Sequence, residues 1–199
     1  MFVTLEGLDG SGKTTQARLL GARLEAEGAE VVLTREPGGT PLGEEIRNLL
    51  LHGGDMAPWA EAALYAASRA QHVEQLIRPA LARGATVICD RYVDSSVAYQ
   101  GIARGLGLEL VLDLNLAAVG GLMPDRTILL EIGADGAVAR MGGERDRIER
   151  EDDGFHARVA DAYRQLATRF PARYVTVDGT AAPETIAEEI YGALEPLPR

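Results

Sequence analysis

The chain has 199 residues, 46% of them apolar, and sets 30 acidic against 20 basic side chains for a net charge of −10. That length can bury a sizeable core in one unit, and that charge argues against a nucleic-acid polymer or an anionic membrane as partner. The one cysteine, Cys89 in "TVICD", excludes an internal disulfide and reads as a small buried hydrophobe.

Residues Phe2–Glu6, "FVTLE", read as a buried strand, and the Gly-rich turn after it opens a helix on which Ala17, Leu20, Gly21 and Leu24 share a face. Gly28 ends that helix. A second strand over Glu30–Thr34 runs into "REPGGT", whose Pro37, Gly38 and Gly39 forbid regular structure, and a helix resumes over Leu42–Leu51. A longer helical region is expected over Pro58–Arg83, bent at Pro79. The third strand is Ala85–Asp90, followed by a loop and a helix whose limits the pattern does not fix. A strand over Arg126–Ile132, a helix over Ala134–Met141, the charged run "GGERDRIEREDD", a helix over Phe155–Phe170, the strand "RYVTV" and a helix over Pro183–Leu194 complete the order. Short strands alternating with helices, several without polar alternation, predict an α/β fold: a five-stranded parallel sheet with helices on both faces, one domain over residues 1–199. No stretch approaches the ~18 apolar residues of a membrane span. The N-terminus leaves no room for the charged and apolar regions of a signal peptide, so a cytoplasmic protein is expected.

Between the first strand and the first helix lies "GLDGSGKTT", in which Gly7, Gly12, Lys13 and Thr14 match the phosphate-loop pattern in the context that the pattern requires. The glycines let backbone N–H groups converge on phosphate oxygens, the helix N-terminus adds partial positive charge, Lys13 adds a full one, and the Thr14 hydroxyl can ligate magnesium. Gly7, Leu8, Asp9, Gly10, Ser11, Gly12, Lys13, Thr14 and Thr15 are therefore the expected nucleotide cradle, for ATP with Mg2+. No base-reading N-K-x-D is present and the only D-x-x-G lies inside the loop itself, which argues against a switch GTPase; a small kinase fits the chain better than a motor or transport ATPase. In "VICDRYVDSSVAYQG", Asp90 and Arg91 end the third strand at the sheet edge where ligands bind. Asp90 can hold magnesium through water, and Arg91 can reach an acceptor phosphate as a two-pronged donor.

Four motifs in order, "EGLDGSGKTT", "TREPGGT", "CDRYVDSSVAYQG" and "ERDRIERE", make the chain resemble the thymidylate kinase family over essentially its whole length. The resemblance implies a P-loop kinase of three layers with a mobile lid over about 140–152, transferring the γ-phosphate of ATP to dTMP. It implies that Arg35, with Glu36 in the same region, binds the dTMP phosphate beside Arg91. Tyr65 would stack on thymine, where many relatives use Phe, and Arg69 would donate to its O4; the two are four residues apart on one helical face. Ser96 falls near the N3 and O4 edge of the base, and Tyr99 beneath the deoxyribose, disfavouring a 2′-hydroxyl. Asp9 contacts the 3′-hydroxyl and the arginine–phosphate network, and Gln71 and Gln100 are further polar contacts. Cytosine would set its amino group against the Arg69 donors, which is how such a pocket discriminates.

Arg140, Arg145, Arg147 and Arg150 are interleaved with acids, a pattern that alone reads as a self-neutralising helix face. One branch of the family carries an arginine in the phosphate loop at the position of Gly10; the bacterial-type branch takes it from the lid, which this run resembles. Arg145 and Arg147 are then the candidates to meet the transferring phosphate, hinged at Gly142 and Gly143. The resemblance also implies a homodimer with small-molecule substrates only. Other readings remain on the residues: a kinase for another monophosphate, a small-metabolite kinase, or a nucleotide-sensing module without turnover.

Overall fold

The computed structural model describes residues 1–133, 136, 140 and 145–194. Five strands, β1 Phe2–Glu6, β2 Val31–Arg35, β3 Thr86–Asp90, β4 Arg126–Glu131 and β5 Tyr174–Asp178, form one all-parallel sheet in the order β2-β3-β1-β4-β5. Alternation along the strands divides the core in two. Val3, Leu5, Ile88, Ile128, Leu130 and Val177 face one side, where α1 (Lys13–Ala26) and α8 (Pro183–Ala193) cover them with Ala17, Leu20, Ile186 and Ile190. Phe2, Val87, Cys89 and Leu129 face the other, under α4 (Arg78–Ala82), α5 (Val93–Ser96) with its π-helical continuation Val97–Ala103, α6 (Leu108–Ala118) and α7 (Asp153–Arg169). This is the three-layer architecture the sequence predicts, and the central strands β1, β3 and β4 are buried because both of their faces are covered. Cys89 is fully buried, as its apolar neighbours predict.

Strand boundaries shift by one residue from expectation at β2, β3, β4 and β5. The helix expected over 134–141 and the hinge at Gly142 and Gly143 fall outside the described residues, except for Gly136 and Arg140. Helix α2 (Pro41–His52) starts where Thr40 accepts from the Gly43 N–H at 3.0 Å and Pro41 occupies the first turn. The long rod expected over 58–83 is α3 (Pro58–His72), a π-helical turn Val73–Ile77, and α4. Pro79 has no N–H to donate back, and its ring crowds the carbonyl four residues earlier. The chain answers with a wide turn just before the proline, closed by Arg78 N–H to Val73 O, so the irregularity precedes Pro79 instead of sitting on it.

Register places the site. Leu5 and Arg35 both pair with Asp90, so β1, β2 and β3 end level at one edge. The chain leaves β1 and β3 for opposite sides of the sheet, and the crevice opens at such a switch point.

Candidate active site

The loop after β1 depends on backbone that only glycine adopts freely: Gly7, Gly10 and Gly12 have φ of 137°, 79° and 97°. A Cβ on Gly7 would come within 2.6 Å of the Leu130 carbonyl oxygen. Lys13 is buried and donates to the carbonyls of Leu8 at 2.7 Å and Gly7 at 3.1 Å, with Ser11 Oγ at 3.5 Å. Burial lowers its pKa to about 8, reinforced by the charge of Arg91 and opposed by Asp9 and Asp90. Gly10, Gly12, Thr14 and Thr15 line a cleft of about 370 Å³ that runs on past Asp90 to Arg35. Thr14 Oγ1 donates to Asp90 Oδ2 at 2.7 Å, so a hydroxyl from the first turn of α1 and a carboxylate from the end of β3 converge beside the lysine. Hard oxygen donors so placed suit magnesium. The turn at Asp178–Ala182 lies against this loop: a Cβ on Gly179 would sit 3.5 Å from the Ser11 carbonyl oxygen, and Arg140 Nη1 donates to Gly179 O at 2.8 Å.

Asp9 and Arg91 form the wall between this cleft and a second one. Arg91 Nη2 donates to Asp9 Oδ1 at 2.6 Å and to the Tyr99 hydroxyl at 3.2 Å, and that hydroxyl reaches Asp9 Oδ2 at 3.4 Å. Burial alone would push the Asp9 carboxyl up; the charges of Arg91 and Lys13 outweigh it and hold it well below the usual range. Arg91 adopts a left-handed φ of 73°, a strained conformation for a side-chain-bearing residue, and the backbone is held there by its N–H to Leu5 O at 3.0 Å. Behind it, Ser95 Oγ and the Tyr163 hydroxyl accept from Arg91 Nη1 and both reach Glu6 Oε2, at 2.6 and 3.0 Å. Burial, with the charge of Asp94 added, pushes Glu6 up to about 7.

The second cleft is lined by Tyr65, Arg69, Ser96, Tyr99 and Gln100, which sequence reasoning put together, and by Arg47, which it missed. Arg69 is 1% exposed. Its Nε donates to Glu36 Oε2 at 2.6 Å, Nη1 to Ser96 Oγ at 2.9 Å and to Asn115 Oδ1, and Nη2 to Tyr92 O at 2.9 Å. Four of its five N–H groups are spent in the protein, which leaves one on Nη2 for a ligand. Glu36 uses its other oxygen on His72 Nδ1 at 2.9 Å, so it fixes Arg69 from behind while lining the wall that the two clefts share. Arg35 reaches the phosphate cleft, half exposed and paired to Glu44 at 2.9 Å. Arg47 lines both clefts and donates to Pro37 O at 3.0 Å; burial and the neighbouring charge of Arg35 lower its pKa. Its helical spacing in "EEIRNLL" marks a helix face and nothing more, so the signal for it lies only in the fold. Gln71 is turned away, bonded to Gln75 at 3.1 Å on an exposed surface, and does not line the cleft.

The arginine-rich run sits differently from expectation. Arg147 Nη1 pairs with Glu61 Oε2 at 2.7 Å, its Nε donates to Leu50 O at 2.8 Å, and its backbone N–H donates to Leu51 O. It therefore rests against α2 and α3 and does not line the phosphate cleft. Arg145 is exposed, and no described residue pairs with its guanidinium.

A family model described as thymidylate kinase matches residues 5–190. A thymidylate kinase of Leifsonia xyli is 55% identical over 199 residues, covering 98% of this chain and 94% of its own, and one of Pelotomaculum thermopropionicum is 49% identical, covering 98% and 92%. A crystal structure of thymidylate kinase from Ehrlichia chaffeensis superposes with a TM-score of 0.82 at 35% identity, covering 98% of each chain. With the phosphate loop, the Asp9–Arg91 wall and a second cleft lined by Tyr65 and Arg69 all on one sheet edge, the chain belongs to the thymidylate kinase family of nucleoside monophosphate kinases.

Proposed function

We propose that this chain transfers the γ-phosphate of ATP to dTMP, giving ADP and dTDP, with the donor over the phosphate loop and the acceptor in the Tyr65–Arg69 cleft. The observation that carries the reading is the shared wall: Asp9, Glu36, Arg47 and Arg91 line both clefts, so two phosphate-bearing ligands would meet across it. A nucleotide hydrolase has no use for the second cleft.

An oxygen of the acceptor phosphate attacks the γ-phosphorus in line, a new P–O bond forms, and the bond to the β-phosphate oxygen breaks with ADP leaving. The attacking oxygen is already ionised at neutral pH, so positioning and charge neutralisation carry the rate. Lys13 leaves the Leu8 and Gly7 carbonyls for the donor phosphates. Arg91 and Arg35, with Arg47, hold the acceptor phosphate. Tyr65 stacks on the base, Arg69 gives its remaining N–H to O4, and Tyr99 closes the sugar end beside Asp9. Held by Thr14 and Asp90, magnesium would neutralise and orient the donor phosphates. Delivery of Arg147 to the transferring phosphate requires it to give up Glu61, and the family resemblance is what supports that step.

Exposed Leu49, Trp59 and Leu110, at 54%, 47% and 60%, lie on α2, α3 and α6, and they support a homodimer through these helices. Among the described residues no helix is long and apolar enough to cross a membrane, and nucleotide substrates of this kind fit a cytoplasmic enzyme. Measuring ADP formation with ATP and magnesium against dTMP, dUMP, dCMP, dGMP, AMP and GMP tests the reading. Turnover selective for dTMP is expected; equal or absent turnover across the set would leave a phosphate-loop protein with some other acceptor.

A further inference from the structure

Glu61 is a carboxylate 1% exposed, in the first turn of α3, and no motif in the sequence draws attention to it. It stands four residues before Tyr65 and eight before Arg69, on the helical face that carries both. Its Oε1 accepts from Gln100 Nε2 at 2.8 Å and from Arg104 Nε at 3.2 Å. Its Oε2 accepts from Arg104 Nη2 at 3.2 Å and from Arg147 Nη1 at 2.7 Å. Burial opposes its charge, but the hydrogen bonds from Gln100 and Arg147 and the charge of Arg104 hold its pKa below the ordinary value. An ionised carboxylate only accepts, so the group it faces on Gln100 must be the amide nitrogen. Gln100 is 2% exposed and lines the acceptor cleft, and no described residue donates to its Oε1.

We propose that Glu61 is the positioning residue for acceptor selectivity: it pins the Gln100 amide with its carbonyl oxygen toward the base, so that a pyrimidine with a ring N–H is accepted and one with a ring lone pair is refused. The inference rests on the acceptor site proposed above. Together with the single remaining N–H of Arg69, Gln100 then gives a pair of one donor and one acceptor. Thymine and uracil complement that pair with a carbonyl oxygen and an N3–H. Cytosine opposes it twice, with an amino group and a bare N3. A glutamine free to flip would lose half of this discrimination.

The test is the ratio of kcat/KM for dCMP to that for dTMP, measured by ADP release. Glu61→Gln keeps size and can both donate and accept, so Gln100 is no longer held in one orientation. The ratio is expected to rise about tenfold, the worth of one buried mismatch. Gln100→Met removes the polar amide and is expected to raise the ratio by a similar factor, and Glu61→Gln added to Gln100→Met is expected to change it no further. Arg147→Ala, which removes another partner of Glu61, is expected to lower turnover of both acceptors together and leave the ratio in place. A Glu61→Gln enzyme that loses dTMP and dCMP turnover in equal proportion, or one that still shifts the ratio in the Gln100→Met background, overturns the proposal. Should Glu61→Gln fail to fold, Glu61→Asp keeps the charge between Arg104 and Arg147 while withdrawing the oxygen from Gln100 by about 1.5 Å. It is expected to shift the ratio in the same direction, and an unchanged ratio with the shorter carboxylate contradicts the assignment. A wild-type enzyme inactive on dTMP defeats the acceptor reading itself, a different result from an active enzyme whose selectivity ignores Glu61.

Discussion

The phosphate loop and the arginine-bearing turn after β4 both supply positive charge, and they are held in opposite ways. In the loop, Lys13 is fixed by carbonyls five and six residues away, on backbone that three glycines permit. Arg147 is fixed by Glu61 and Leu50, 86 and 97 residues away. A charge set by its neighbours in the chain is in place as soon as the loop forms. A charge set by distant partners can be exchanged for another, and in this structure those partners are Glu61 on α3 and the Leu50 carbonyl on α2. Lys13 is thus set by the local backbone, whereas Arg147 depends on partners that it can exchange.

Loss of the locally set charge should cost most. Lys13→Ala removes the one full positive charge in the cradle, and kcat is expected to fall about a thousandfold, on the scale of losing a preorganised group that meets transition-state charge. A steady-state assay that finds less than a tenfold loss would mean that the arginines carry the donor phosphates. Arg147→Ala should cost less: on the proposed delivery of this guanidinium to the transferring phosphate, kcat is expected to fall about 10- to 100-fold with the KM for dTMP little changed. A change confined to KM would instead make Arg147 a part of the acceptor pocket, as its place on Glu61 in the structure suggests for the resting enzyme.

The acid–base chemistry of the loop gives a third way to sharpen the contrast. With its pKa lowered to about 8, Lys13 is charged at pH 7 and loses its proton as pH rises through 8, whereas bound phosphates restore the charge. Calorimetry of ATP binding in buffers of different ionisation enthalpy is expected to show proton uptake at pH 8.5 and none from this group at pH 6.5. Identical protonation behaviour at both values would deny the lowered pKa.

The smallest effect is expected behind Arg91. Glu6 keeps its proton to about pH 7 in the folded protein and loses it near the ordinary value of 4.5 when unfolded. Between these values the folded state binds the extra proton, so Glu6 contributes a loss of stability as pH rises through that window and no further slope above it. Glu6→Gln removes this contribution. Urea unfolding at pH 5 and pH 7.5 should therefore show a variant whose stability, relative to wild type, improves from the first pH to the second; no relative change would refute the raised pKa.

The donor half of the site was legible because its determinants are local: glycine conformation, one lysine and one threonine within nine residues, directly after a strand. The sheet was legible for the same reason, through period and punctuation, and its errors are single residues at strand ends, where the pattern carries little weight. The acceptor half was legible only by family resemblance. Arg69 reads as a helical cation until Glu36, Ser96 and Asn115, 33, 27 and 46 residues away, close around it. Arg47 and Glu61 sit on amphipathic helices whose period accounts for them fully, so nothing local singles them out. Gln71 shows the converse: a polar residue beside the right motif but one helical step too far round to face the cleft.

Passage of phosphate between the two clefts, across the Asp9–Arg91 wall, is tested by following the label from γ-32P ATP in the presence and absence of dTMP. The two-cleft reading predicts that label appears in dTDP when dTMP is present, with almost none released as inorganic phosphate under either condition. Label that goes to inorganic phosphate regardless of dTMP would contradict it, since water would then be the acceptor and the second cleft would have no part in the reaction.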